Sequence, residues 1–175
     1  MIFKFSADRF PVTLVLLVSV IDFAIYSLVE NIWWLVGYLV VMIIPRGLIC
    51  SWNHHHQHTP TFRQKPLNRV LEFFYALHTG VTTNLWMLHH VLGHHRNFLD
   101  QSCDESGWKR DDGKAMGALE YTLTIASTAY YRSYQVGKGF PRMQRDFLVF
   151  SVLSLAGVAL LCWFRLVPAL LVFVV

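Results

Sequence analysis

IWWLVGYLVVMIIPRGLICSWNHHHQH, residues 32–58, begins as an apolar run and ends as a row of histidines. From Ile32 to about Cys50 the run approaches the roughly 20 residues that an α-helix needs to cross the hydrocarbon of a bilayer. A similar run, Pro11 to Val29, precedes it across the tight link Glu30-Asn31, and a third extends from Phe147 to Phe164. A fourth opens at Pro168 and is still apolar at Val175. Hydrophobic residues make up 54% of the 175, which excludes an ordinary soluble domain of this size. The expected fold is an all-α integral membrane protein of a single domain, 1–175. Two transmembrane helical hairpins, the second incomplete, flank a helical region at 51–146 that carries the histidines. Because the last run is far short of a span, the chain reads as a truncated version of something longer.

Lys and Arg set the expected orientation. Lys4 and Arg9 precede the first span, the link Glu30-Asn31 has neither, and Arg46 to Arg145 holds most of the rest, which places the termini and the histidine region on the cytoplasmic side. Arg165, in the second tight link, is a single exception. The net charge of +4 is accounted for by loops near anionic lipid, and no nucleic acid partner is expected. The first run contains Asp22 and is not followed by a small-residue cleavage pattern, so it reads as a retained span rather than a signal peptide. A carboxylate in mid-span faces protein or water. Asp22 either lines a substrate route or packs between helices in protonated form, and packing is favoured. Cys50, Cys103 and Cys162 are odd in number and widely separated, which suggests neither a disulfide frame nor a cysteine zinc site.

Within 51–146, Pro66 suits the first turn of a helix whose apolar Leu67, Val70, Leu71, Phe74 and Leu77 follow helical spacing, with Gly80 as its stop and His78 on its apolar face. A second helix is expected from Thr83 or Asn84 through His95, a loop from Asp100 to Lys114, and a third helix from Ala118 to Tyr134. Tyr121, Tyr130, Tyr131 and Tyr134 suit either a segment at the membrane surface or a buried amphipathic helix.

All nine histidines lie between His54 and His95. They form two dense groups, His54-His55-His56-Gln57-His58 and His89-His90-Val91-Leu92-Gly93-His94-His95, with His78 between them. Imidazole is a common ligand for iron, copper and zinc, and a row of neutral rings among apolar spans is otherwise a set of costly polar groups. On a helix, residues four apart share a face, so His54 with His58 and His90 with His94 can each aim two nitrogens at one point. His95 is expected about 100° further round, out of reach of the ion chelated by His90 and His94 and suited to a neighbouring second ion. The thermolysin-type zinc motif is excluded, since Glu follows the first histidine of neither pair. For His56 the reading of a ring that points away from the metals stays open. His55, His78 and His89 stay open between ligand, support for a ligand, and neither.

The stretch from Ser51-Trp52-Asn53-His54 through Leu99-Asp100 resembles the membrane fatty acid desaturase superfamily. There a box of type His-x(3,4)-His is followed about thirty residues later by Trp-x(3)-His-x(2,3)-His-His. This chain offers His54 to His58, then Trp86 and His90 to His95, with Phe62 and Leu67-Asn68 between them also similar. The resemblance implies a non-haem di-iron oxidoreductase with His54, His58, His90, His94 and His95 as ligands of two iron ions. It further implies dioxygen and an acyl lipid as substrates, double-bond formation, and an external electron carrier such as ferredoxin or a b-type cytochrome. The family carries a third box, commonly His-x-x-His-His, after its fourth span. This chain has no histidine after His95 and is expected to be inactive alone. A hydroxylase or ketolase of the same superfamily, acting on an alkane, sterol or carotenoid, is the alternative enzyme reading. A non-catalytic remnant acting as a membrane partner is the alternative of another class.

Overall fold

In a computed structural model the structure describes residues 2–174, and these contain helices, turns and two isolated β-bridges but no β-strand. The helices are α1 (Arg9–Leu28), α2 (Ile32–His58), α3 (Lys65–Thr79), α4 (Met87–His94, wound as a π-helix), α5 (Ala118–Gly137), α6 (Pro141–Phe164) and α7 (Leu166–Ala169), which runs into a π-wound turn at Leu170–Val174. Three helical segments, Ser6–Leu28, Ile32–His58 and Pro141–Phe164, are long and apolar enough to cross a membrane, with mean hydropathies of 2.0, 1.9 and 2.4. Their outward residues include Leu17, Val20, Trp33, Ile44, Leu155 and Trp163, all exposed. So much apolar surface is stable against hydrocarbon and not against water. The protein is integral to the membrane.

The chain divides into two compact units. One is formed by the residues up to Thr83 together with those from Val149 on; the other is Asn84–Leu148. In the first unit, Val12, Val15 and Val18 of α1 meet Met42 and Ile49 of α2 and Leu71 and Tyr75 of α3. A second cluster joins Tyr26, Leu35 and Leu77 to Ala169, Val172 and Phe173. Helix α3 therefore packs along α1 and α2. Hydropathy set a boundary near residue 51, but packing does not respect it. α2 also runs on past Cys50, through Pro45 and the first histidine group, to His58. Asn31 caps its start by accepting the Trp33 N–H at 2.9 Å. Gly80 ends α3 with φ 67 and returns its N–H to Ala76 O at 2.9 Å.

Asp22 is fully buried where α1, α2 and α3 meet. Tyr38 donates to its Oδ1 at 2.5 Å, Arg46 Nη2 lies 3.4 Å from the same oxygen, and His78 Nδ1 lies 3.1 Å from Oδ2 without the alignment of a hydrogen bond. Asp22 is thus a packing residue, as favoured, and it is the acceptor at the centre of a cluster with two basic side chains close by. Arg46 joins this cluster rather than the loop charge, and it also donates to Val172 O. The exception at Arg165 has a local cause, because its guanidinium donates to Tyr26 O and to Val29 O, at 3.2 Å for the latter, at the C-terminal end of α1. A cation there satisfies orphan carbonyls and complements the helix dipole.

In the second unit, the buried Ser133 of α5 donates to Leu85 O at 3.2 Å, and Asn84 Nδ2 donates to Met143 O at 3.2 Å. Tyr130, Tyr131 and Tyr134 are exposed, and α5 buries only Ser133 and Gly137. The buried amphipathic alternative for α5 therefore does not hold. The expected loop is present between α4 and α5, closed by the bridge Lys109–Ala115 and by the pairing of Arg110 with Glu120.

Candidate metal centre

The first histidine group occupies the final turns of α2. His54 Nε2 and His58 Nε2 stand 3.0 Å apart, their ring centroids 4.9 Å apart. That separation suits one shared proton between two neutral rings. It also suits chelation, since metal–nitrogen bonds of about 2.0–2.1 Å at a right angle put two nitrogens about 3 Å from each other. His55 is exposed on another side of the helix.

The opposite face of the same turns is anchored in protein. Asn53, fully buried, donates through Nδ2 to Thr79 Oγ1 at 3.2 Å and Val81 O at 3.3 Å. His56 Nδ1 lies 2.9 Å from Thr61 Oγ1 and accepts the Thr61 N–H at 3.3 Å, which leaves Nε2 as the protonated nitrogen facing Glu72 Oε1 at 3.3 Å. Both ring nitrogens are occupied, and His56 points away from His54 and His58. Glu72 also accepts from Arg69 at 2.7 Å and Thr83 at 2.5 Å. Burial pushes its carboxyl up, but the hydrogen bonds from His56, Thr83 and Arg69 outweigh burial and hold it below the usual glutamate value. His78 belongs to neither group: it faces α1, its Nε2 2.8 Å from Ser19 Oγ and its Nδ1 beside Asp22.

The second group lies on α4, and π winding alters its geometry. The His95 N–H bonds to His90 O, an i→i+5 link that makes the residue five positions on, rather than four, the neighbour along the helix. His95 Nε2 accordingly lies 3.0 Å from His90 Nε2, with ring centroids 4.4 Å apart. The expected offset of His95, about 100° further round than His94 and away from the ion held by His90 and His94, assumed an α-helix; with π winding His95 instead closes on His90. His94 remains beside both, stacked on His90 at 5.3 Å and 5.4 Å from His95. Its Nδ1 is 2.7 Å from Asp104 Oδ1. His89 is buried behind this face, and its Nε2 has no hydrogen-bond partner among the described residues. Burial, with the charge of Arg132 second, lowers its pKa to about 4 and keeps the ring neutral.

Each group thus presents a pair of imidazole nitrogens at chelating distance, and neutral nitrogen donors of this kind fit a divalent transition metal. Glu72 and Asp104 escaped the sequence reading, because a carboxylate that meets a histidine 10 or 16 residues away leaves no periodic signal. Set against known proteins, residues 31–175 match the family model described as fatty acid desaturase. No curated protein and no solved structure matches the chain.

Proposed function

Since the chain belongs to the fatty acid desaturase family, an oxidoreductase family, we propose that it introduces a double bond into an acyl lipid using dioxygen and two iron ions. The observation that carries this reading is the presence, in each histidine group, of two imidazole Nε2 atoms 3.0 Å apart. On this reading His54, His58, His90, His94 and His95 are iron ligands. When bound, the iron pair supplies an oxidant able to take hydrogen from an unactivated methylene, which no side chain is basic enough to deprotonate. Two hydrogens from the acyl chain, two electrons from an external carrier such as ferredoxin or a b-type cytochrome, and two protons reduce dioxygen to two waters.

The chain's own residues hold the ligands. Asn53 and His56 fasten the buried face of α2, so that His54 and His58 are presented from a turn that does not fray. The bonded ring nitrogens of His56 keep it out of the ligand set. The apolar exterior of the spans keeps the protein in the bilayer where acyl lipid is dissolved. The histidine region is assigned to the cytoplasmic side by its Lys and Arg content.

The reading is tested on protein expressed from its complete gene, with iron analysis and fatty-acid profiling of the host membrane. Iron close to two per chain and new double bonds are expected, and His58→Ala or His94→Ala abolishes both while the protein stays in the membrane. One tightly held zinc and no iron under iron-replete expression would overturn it.

A further inference from the structure

Resting on the reading of His94 as a metal ligand, we propose that Asp104 is a positioning residue of the second histidine group. Its carboxylate holds the Nδ1–H of His94 and thereby aims the bare Nε2 at the iron. A neutral imidazole carries one proton, so a ring that donates from Nδ1 keeps its lone pair on Nε2. Metal-binding histidines generally have their other nitrogen engaged in this way, which fixes tautomer and ring orientation together.

The acceptor is held in place by protein contacts. The Asp104 side chain has 0% exposure, lies 2.7 Å from His94 Nδ1, and takes the Ser106 N–H on the same oxygen at 2.7 Å. The loop around it is pinned at several points. Arg132 Nη1 donates to Glu105 O at 2.7 Å, Asn97 Nδ2 bridges Gly93 O at 3.0 Å and Cys103 O at 3.3 Å, and Glu105 N reaches Gly93 O at 3.3 Å. Gly93, the residue before His94, makes the approach possible: a Cβ there would stand 2.6 Å from Glu105 Cγ. Asp104 Oδ2 is buried with no hydrogen-bond partner among the described residues. Burying a carboxylate with one oxygen unpaired costs the fold, so stability alone gives a poor account of an aspartate here.

Protein expressed from its complete gene is loaded with ferrous iron in detergent micelles and challenged with a graded iron chelator. The metal-free protein, labelled with nitrogen-15 histidine, reports the His94 tautomer by NMR. Asp104→Ala is expected to weaken iron retention by ten- to a hundredfold and to move the His94 proton off Nδ1. Asp104→Asn, which keeps an acceptor oxygen, gives a smaller loss in the same direction. Gly93→Ala, which leaves every ligand in place, weakens retention by displacing the loop. Native iron retention and an unchanged tautomer in Asp104→Ala, or in Asp104→Asn should the alanine variant not fold, would overturn the proposal. His94→Ala is the companion control: if it also retains iron, the ligand reading itself fails, whereas loss in His94→Ala with retention in Asp104→Ala sinks only the role of Asp104.

Discussion

Three histidines each have a buried carboxylate beside them, and what distinguishes them is where their ring nitrogens go. His56 uses both, on Thr61 and Glu72; His78 turns Nε2 to Ser19 and keeps Nδ1 3.1 Å from Asp22; His94 meets Asp104 through Nδ1 alone. The Asp22 cluster belongs to the bundle, and breaking it exposes the stakes of burial. Asp22→Ala leaves Tyr38 without its acceptor and Arg46 without its counter-charge and is expected to destabilise the protein by about 3 kcal/mol, with Asp22→Asn milder, read from thermal unfolding in detergent. Glu72 yields a prediction about pH. Its folded-state pKa is held below the ordinary 4.5, so the stabilisation is complete above that value and is lost as pH falls through the lower folded one. Unfolding temperature measured across this acid range is expected to fall, and Glu72→Gln to be less stable at neutral pH but flatter across the same range. Had the native protein and the variant followed parallel curves, Glu72 would not carry that dependence.

At the level of elements, the two histidine groups differ in helix type. On α2 the i,i+4 spacing visible in the residues is the spacing that pairs His54 with His58. On α4 the same spacing was legible between His90 and His94, yet the ring nitrogens in closest approach are those of His90 and His95. Nothing in the residue types distinguishes π from α winding there. Tertiary anchors bracket the segment instead, with Asn84 at φ 59 bonded to Met143 O before it and the loop seated on Gly93 near its end. Gly80 was legible as the stop of α3 because a left-handed cap favours glycine. A Cβ there would meet nothing within 4 Å, so Gly80→Ala is expected to cost only the backbone strain, about 1 kcal/mol, visible as a small drop in unfolding temperature with metal binding unchanged. A large drop, or a lost metal, would show that the cap governs more than the end of α3.

For the molecule as a whole, the proposed orientation predicts that residue 31 and the link around Arg165 label from the side opposite residue 58. In a variant whose native cysteines are replaced, single cysteines at 31 and 58 should react with an impermeant reagent from different sides of sealed vesicles. Reaction from one side only would reject the orientation. Membrane class and helical composition were decided by the sequence, since apolar runs as long as a bilayer is thick leave the backbone no choice but helix. So was the gathering of histidines at the end of α2 and along α4, because their placement in the chain is covalent. Tertiary structure alone decided which rings are committed elsewhere. It also decided that α3 lies along α1 and α2, that Arg46 answers Asp22, and that α4 winds so that His95 meets His90. The physical reason is that a hydrogen bond between side chains far apart in sequence depends on how helices pack, and packing is cooperative over the bundle and leaves no period in the chain.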